Sequence, residues 1–268
     1  MIRDITIGQY YAKDSVIHRL DPRVKIIATI AYIISLFLFD GFAGYIVAIG
    51  FFAAMVYLSK VPFSYIVRGL KPIFFMLIFT ALLNLFWTPG TTFFRLGVIN
   101  LTWEGLQKAV FISMRLIFLI LGSSLMTLTT TPNQLTDGLE RLLGPLRHIR
   151  VPVHEIAMMM SIALRFIPIL VEETDKIMKA QTARGADFES GNVMQRLKSM
   201  LPILVPLFVS AIRRANDLAL AMDARCYHGG KGRTKMYPLH YQGRDGMAYL
   251  ICLFYLIVLY LVQRFVTF

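Results

Sequence analysis

Long apolar runs constrain this chain more than any other feature. Residues 42–58, the stretch from Pro72 to Trp87, and residues 106–128 each approach the ~20 residues an α-helix needs to cross a bilayer. Residues 247–262 match the Pro72–Trp87 stretch in length, and residues 26–39 are a shorter run of the same kind. Soluble domains hold about 25% charged residues. Here the figure is 16%, against 56% hydrophobic, and a soluble globule of 268 residues could not hide so much continuous apolar surface. The expected fold is an all-α integral membrane protein with about five transmembrane helices.

The net charge is +12. In a soluble protein that balance would point to nucleic acid, but here its placement decides. Of the 28 Lys and Arg residues, only Arg95, Lys108, Arg115 and Arg264 fall outside residues 1–25, 59–71 and 129–245. The positive-inside rule assigns those three basic stretches to the cytoplasm, N-terminus included, and contact with anionic membrane lipid accounts for the charge without nucleic acid. Arg23 and Lys25 are expected to snorkel to the headgroups and lengthen the short first span. The N-terminal 25 residues are too long and too mixed in charge for a signal-peptide n-region, so no cleaved segment is expected. Cys226 and Cys252, so differently placed, make neither a disulfide framework nor a metal site.

Three regions follow: residues 1–128, a membrane domain of about four spans; residues 129–245, a cytoplasmic helical domain; and residues 246–268, a last transmembrane helix. In the first, Asp40-Gly41 marks a hairpin turn, and Trp87, Phe93, Phe94 and Trp103 suit an interfacial belt around an external loop. Asn84 and Arg115 are the intramembrane polar residues, and a structural bond between helices is their expected role. The middle region is rich in charge and broken by Pro132, Pro145, Pro152, Pro168, Pro202 and Pro206. Its apolar runs, Ile156–Val171 and Met200–Ile212, are short for crossings and read as interfacial or protein-buried helices.

Two segments of the middle region share one plan. Each opens with an apolar, proline-containing half, continues as a charged amphipathic helix, and closes on a short motif. The first closes Ala180-Gln181-Thr182-Ala183-Arg184-Gly185 and the second Ala221-Met222-Asp223-Ala224-Arg225-Cys226. Alanines at i and i+3 clear one side of a helix for a close neighbour. Gly185, and Tyr227-His228-Gly229-Gly230 in the second copy, mark the stop. An arginine there is a single charge with a rigid fork of donors, suited to an acidic socket. Such an arginine also offsets the negative end of the helix dipole. Duplication of the whole plan argues for a role beyond that.

Other motifs dissolve on inspection. No G-x-x-x-x-G-K-[ST] occurs: before Gly230-Lys231 the upstream glycine position is Arg225, and Gly232 stands where Ser or Thr is needed, so Gly229–Lys235 reads as a basic connector. His154-Glu155 begins like a zinc-protease helix, but position 158 is Met, leaving a polar helix start after Pro152. The five histidines (His18, His148, His154, His228 and His240) supply neither a nucleophile–base pair nor a metal cluster in sequence.

Taken together, these residues resemble the transmembrane T components (EcfT/CbiQ-like) of energy-coupling factor (ECF) ABC transporters. The resemblance rests on His18-Arg19-Leu20-Asp21-Pro22-Arg23-Val24-Lys25 before the first span and on Thr131-Pro132 with Leu135, Leu139 and Leu142. Leu164-Arg165-Phe166-Ile167-Pro168, Glu172-Glu173 and Ala183-Arg184-Gly185 continue it, and Ala224-Arg225-Cys226-Tyr227 with Gly229-Gly230 completes it. Cys226 stands where glycine is also common. The resemblance implies a non-catalytic subunit that joins two ABC-type ATPases to a substrate-binding S component for uptake of a vitamin or other micronutrient through a prokaryotic cell membrane. ATP and Mg²⁺ would be bound by the partners, and no cofactor by this chain. Arg184 and Arg225, with Ala183, Gly185, Ala224 and Cys226, would contact the ATPases. Met159, Met160, Ala163, Ile167, Leu204 and Phe208 would form a surface towards the S component or for helix packing. The competing class is a self-contained secondary transporter or channel, which wants inverted repeats and midplane ionisable groups; only Asn84 and Arg115 answer to that.

Overall fold

The computed structural model describes residues 10–39, 41–96, 99–186, 188, 192–230, 234, 236 and 238–266, without the side chains at 92–101, 193, 195–197 and 266. The expectations for Asp40, for the Phe93, Phe94 and Arg95 side chains, and for Lys231, Gly232 and Lys235 lie outside the described residues. The described residues divide into two compact units, one within 8–138 and 239–268 and the other within 139–238.

The first unit holds helices α1 (Pro22–Ser35), α2 (Phe42–Ser59), α3 (Phe63–Arg68), α4 (Phe74–Trp87), α5 (Trp103–Thr129) and α9 (Gly243–Val266). Strands β1 (Thr92–Leu96) and β2 (Ile99–Thr102) pair antiparallel between α4 and α5, so the loop expected there contains a short hairpin. This is the one departure from an all-helical chain among the described residues. The core is aromatic and lies where α1, α2, α5 and α9 meet. Phe51 stacks on Tyr255 at 4.2 Å, Phe39 meets Tyr45 edge-on at 4.9 Å, and Ser35 Oγ bonds the Tyr255 hydroxyl at 2.8 Å. A Cβ at Gly122 would lie 2.7 Å from the Tyr32 ring, so only glycine lets α5 approach α1 there.

The signature around Asp21 locks the start of α1. Pro22 takes the first helical position, where its missing N–H costs nothing, and the Asp21 carboxylate accepts from the Arg23 amide at 2.9 Å and its guanidinium at 2.8 Å. Asp245, 1% exposed, accepts from the amides of Asp21 and Gln242, and Arg23 lies 3.9 Å over the Tyr241 ring. Lys25 is also buried; its ammonium donates to the carbonyls of Thr129 (2.8 Å) and His18 (3.1 Å). Neither basic side chain snorkels: one is ion-paired, and the other serves carbonyls that the end of α5 and the N-terminal segment leave without helical partners. Burial pushes the Asp21 carboxyl upward, but the Arg23 hydrogen bonds outweigh it and hold the group below its usual range. Burial holds the His18 imidazole below its ordinary value.

Among the described residues, five helices are long and apolar enough to cross a membrane: Phe42–Ser59, Phe63–Trp87, Trp103–Thr129, Val153–Ala183 and Gly243–Phe265. The number is the expected one, but the membership differs. The first run forms only the 14-residue α1, because its last residues turn away after Ser35. Val153–Ala183 joins the set because it is one continuous helix. Arg115 binds the Phe39 carbonyl at 3.2 Å, a bond from α5 to the turn after α1, whereas Asn84 donates within its own helix to Thr80 O at 2.8 Å.

The second unit is built on α7 (Val153–Ala183) and α8 (Val193–Ala224), preceded by the end of α6 (Pro132–Leu142) and a 3-10 segment, Gly144–Ile149. Pro132, Pro145 and Pro152 stand at element starts, but Pro168, Pro202 and Pro206 lie inside helices that continue through them. Pro206 has no N–H for the carbonyl of Pro202. Gln181 of α7 donates to that carbonyl instead, at 3.4 Å.

Candidate functional site

The paired motifs end their helices by one mechanism. Arg184 is the C-cap of α7; Gly185, at φ +89°, donates to Thr182 O (2.9 Å) and Ala186 to Gln181 O (3.0 Å). At the end of α8, Cys226, at φ +56°, donates to Asp223 O (2.8 Å) and Tyr227 to Met222 O (3.0 Å). Both are Schellman caps, which satisfy the last carbonyls by turning one residue left-handed. Each cap therefore needs a left-handed residue after the arginine, and the second helix stops at Cys226 rather than at the glycines beyond it. Each cap leaves its arginine at the C-terminal end of its helix. Both guanidinium groups are exposed and unpaired among the described residues.

The pairing of α7 with α8 places these tips. Gln181 reaches Pro202, Glu173 accepts from Ser210 Oγ (3.1 Å) and pairs with Arg214, and Met158, Arg165 and Phe166 share a cleft with Leu218, Met222 and Arg225. As position rises on one helix it falls on the other, so the two run antiparallel. Arg225 sits beside the start of α7 and Arg184 ends that helix. From Phe166 to Arg184, at ~1.5 Å per residue, the tips stand roughly 30 Å apart.

All six residues of the expected packing surface are exposed: Met159, Met160, Ala163 and Ile167 on α7, and Leu204 and Phe208 on α8. With Ile156 on α7, and with Leu201, Val205, Val209 and Ile212 on α8, they recur at helical spacing along one face of each helix. Sequence reasoning named only part of this stripe. The Glu173–Arg214 tie is not legible in the sequence, because nothing local marks Arg214 as the partner of Glu173. His154 starts α7 as expected and binds Glu140 at 2.9 Å. Among the described residues no cluster of His, Cys, Asp or Glu could hold a metal.

Several membrane-length helices, with two antiparallel helices that each end on an exposed arginine, define an integral membrane protein. A family model described as "Cobalt transport protein" (CbiQ) matches residues 13–236. The chain is 56% identical over 255 residues to an "Energy-coupling factor transporter transmembrane protein EcfT" of Clostridium kluyveri, covering 94% of each protein. Proteins of the same description from Heliobacterium modesticaldum (52% over 261 residues, 94% of this chain and 98% of the relative) and Bacillus subtilis (50% over 246 residues, 91% and 93%) are also similar. The chain belongs to this family, the transmembrane components of energy-coupling factor transporters.

Proposed function

We propose that this chain transmits conformational change from two ABC-type ATPase subunits to a membrane-embedded, substrate-binding S component, for uptake of a vitamin or other micronutrient. It is a multi-pass subunit of a prokaryotic cell membrane with its N-terminus in the cytoplasm. Residues 129–245 form the cytoplasmic coupling domain between membrane regions 1–128 and 246–268. The chain carries no catalytic residue and no cofactor; ATP and Mg²⁺ belong to the partner subunits.

The observation that carries this reading is the placement of Arg184 and Arg225 at opposite ends of one antiparallel helix pair. Two unpaired charges roughly 30 Å apart suit two separate sockets, not one. An arginine fork favours carboxylate, and truncating a buried interfacial charge costs ~2–5 kcal/mol. The exposed apolar faces of α7 and α8 supply the surface for the S component, and the Glu173–Arg214 pair ties the levers together. In purified complex, Arg184→Glu with Arg225→Glu releases both ATPases and abolishes uptake, while each single reversal weakens assembly. Wild-type assembly in the double variant refutes the role.

A further inference from the structure

Within the first unit, α1, α2, α5 and α9, with Val16, Ile17 and Leu20 ahead of α1, line a cleft of about 180 Å³ that borders the aromatic core and lies apart from the coupling motifs. Its lining follows helical spacing: Lys25, Ala28 and Tyr32 on α1, Arg244, Met247 and Ile251 on α9, with apolar residues of α2 and α5 opposite. Seven residues on each helix, at ~1.5 Å per residue, make it roughly 10 Å deep along the helix axes. The cationic residues stand at one end, where α1 and α9 begin, and the remaining walls are almost wholly apolar.

Three polar groups there want a partner. Arg244 Nε is buried without a hydrogen bond, and so is the hydroxyl of Tyr32, a residue 5% exposed. Lys25 uses two of its three donors on backbone carbonyls. The nearby carboxylates do not compete for these cations: Asp21 is taken by Arg23, and Asp245 accepts backbone amides at both oxygens.

We propose that this cleft holds one anionic phospholipid. Its phosphate lies against Arg244 and Lys25, an ester carbonyl accepts from Tyr32, and an acyl chain fills the apolar shaft. The lipid comes from the leaflet beside the starts of α1 and α9, the cytoplasmic one on the topology proposed above; the binding itself is independent of ATPase coupling. A basic side chain at a lipid surface contributes ~1 kcal/mol, which is about five-fold in affinity.

The full-length protein, transferred to nanodiscs of phosphatidylcholine with graded phosphatidylglycerol of the same chains, is read by native mass spectrometry for lipid retained on release. Wild type keeps one phosphatidylglycerol in preference to phosphatidylcholine. Arg244→Gln lowers that preference about five-fold. Tyr32→Phe, which keeps the ring, lowers retention while leaving the lipid-free melting midpoint unchanged or raised. Ala28→Phe, filling the shaft, removes the adduct. Equal retention of the two lipids, or indifference to Arg244→Gln and Tyr32→Phe, overturns the proposal. So does a dimer without lipid that Ala28→Phe disrupts, since the cleft is then an interface between copies.

Discussion

Cysteine at position 226 holds a left-handed backbone that its counterpart, Gly185, adopts freely. The left-handed conformation costs an L-residue with a Cβ roughly 1–2 kcal/mol. Replacement by glycine removes that strain but enlarges the entropy of the unfolded chain, an opposing effect of about 0.4–1 kcal/mol. The net expectation for Cys226→Gly is a cap stabilised by about 0.5–1 kcal/mol, or two- to five-fold in its local opening equilibrium. Amide exchange at Tyr227, whose N–H closes the cap on Met222 O at 3.0 Å, reads that equilibrium directly. Exchange should slow two- to five-fold, with amides of the first unit unaffected. The reciprocal change, Gly185→Ala at φ +89°, should speed exchange at Ala186 and leave that tip poorly presented. If Cys226→Gly leaves Tyr227 exchange unchanged and Gly185→Ala is silent, the shared-cap account of the paired motifs fails.

Lys25→Met should lower the melting midpoint in detergent by several degrees, because it strands the carbonyls of Thr129 and His18 at about 1–3 kcal/mol each. The His18 imidazole has a lowered pKa, so the unfolded chain takes up its proton first as pH falls. Stability from this group is complete above its ordinary value of 6.5 and is lost on acidification below it. The protection factor of the Tyr11 amide, bonded to Leu128 O, should therefore fall between pH 7 and 5, once the intrinsic slowing of exchange is divided out, and His18→Gln should flatten that profile. Asp21 behaves as a depressed carboxyl: its contribution is present above its unfolded pKa near 3.8 and disappears as pH falls through the lower folded value, a loss that Asp21→Asn should make pH-independent.

Hydrophobicity and motif content are local properties, and the sequence by itself determined what depends on them. A membrane-spanning helical protein, the basic middle region, the duplicated Ala-x-x-Ala-Arg-small ends and the family resemblance were all legible without coordinates. Tertiary structure decided whatever depends on residues far apart in the chain. Arg23 reads as a headgroup ligand until the carboxylate of Asp21 and the ring of Tyr241 claim it, and Lys25 turns inward, where the carbonyls of Thr129 and His18 take two of its three donors. Prolines 168, 202 and 206 read as breaks; α7 and α8 run through them, and at the Pro202 carbonyl that Pro206 leaves without a donor a side chain of the opposite helix serves. Two arginines 41 positions apart could have shared one end of a bundle or been sent to opposite ends. The antiparallel packing of α7 on α8 chose the second, because only contacts such as Gln181 with Pro202 and Glu173 with Arg214 set the direction in which one rod lies along the other.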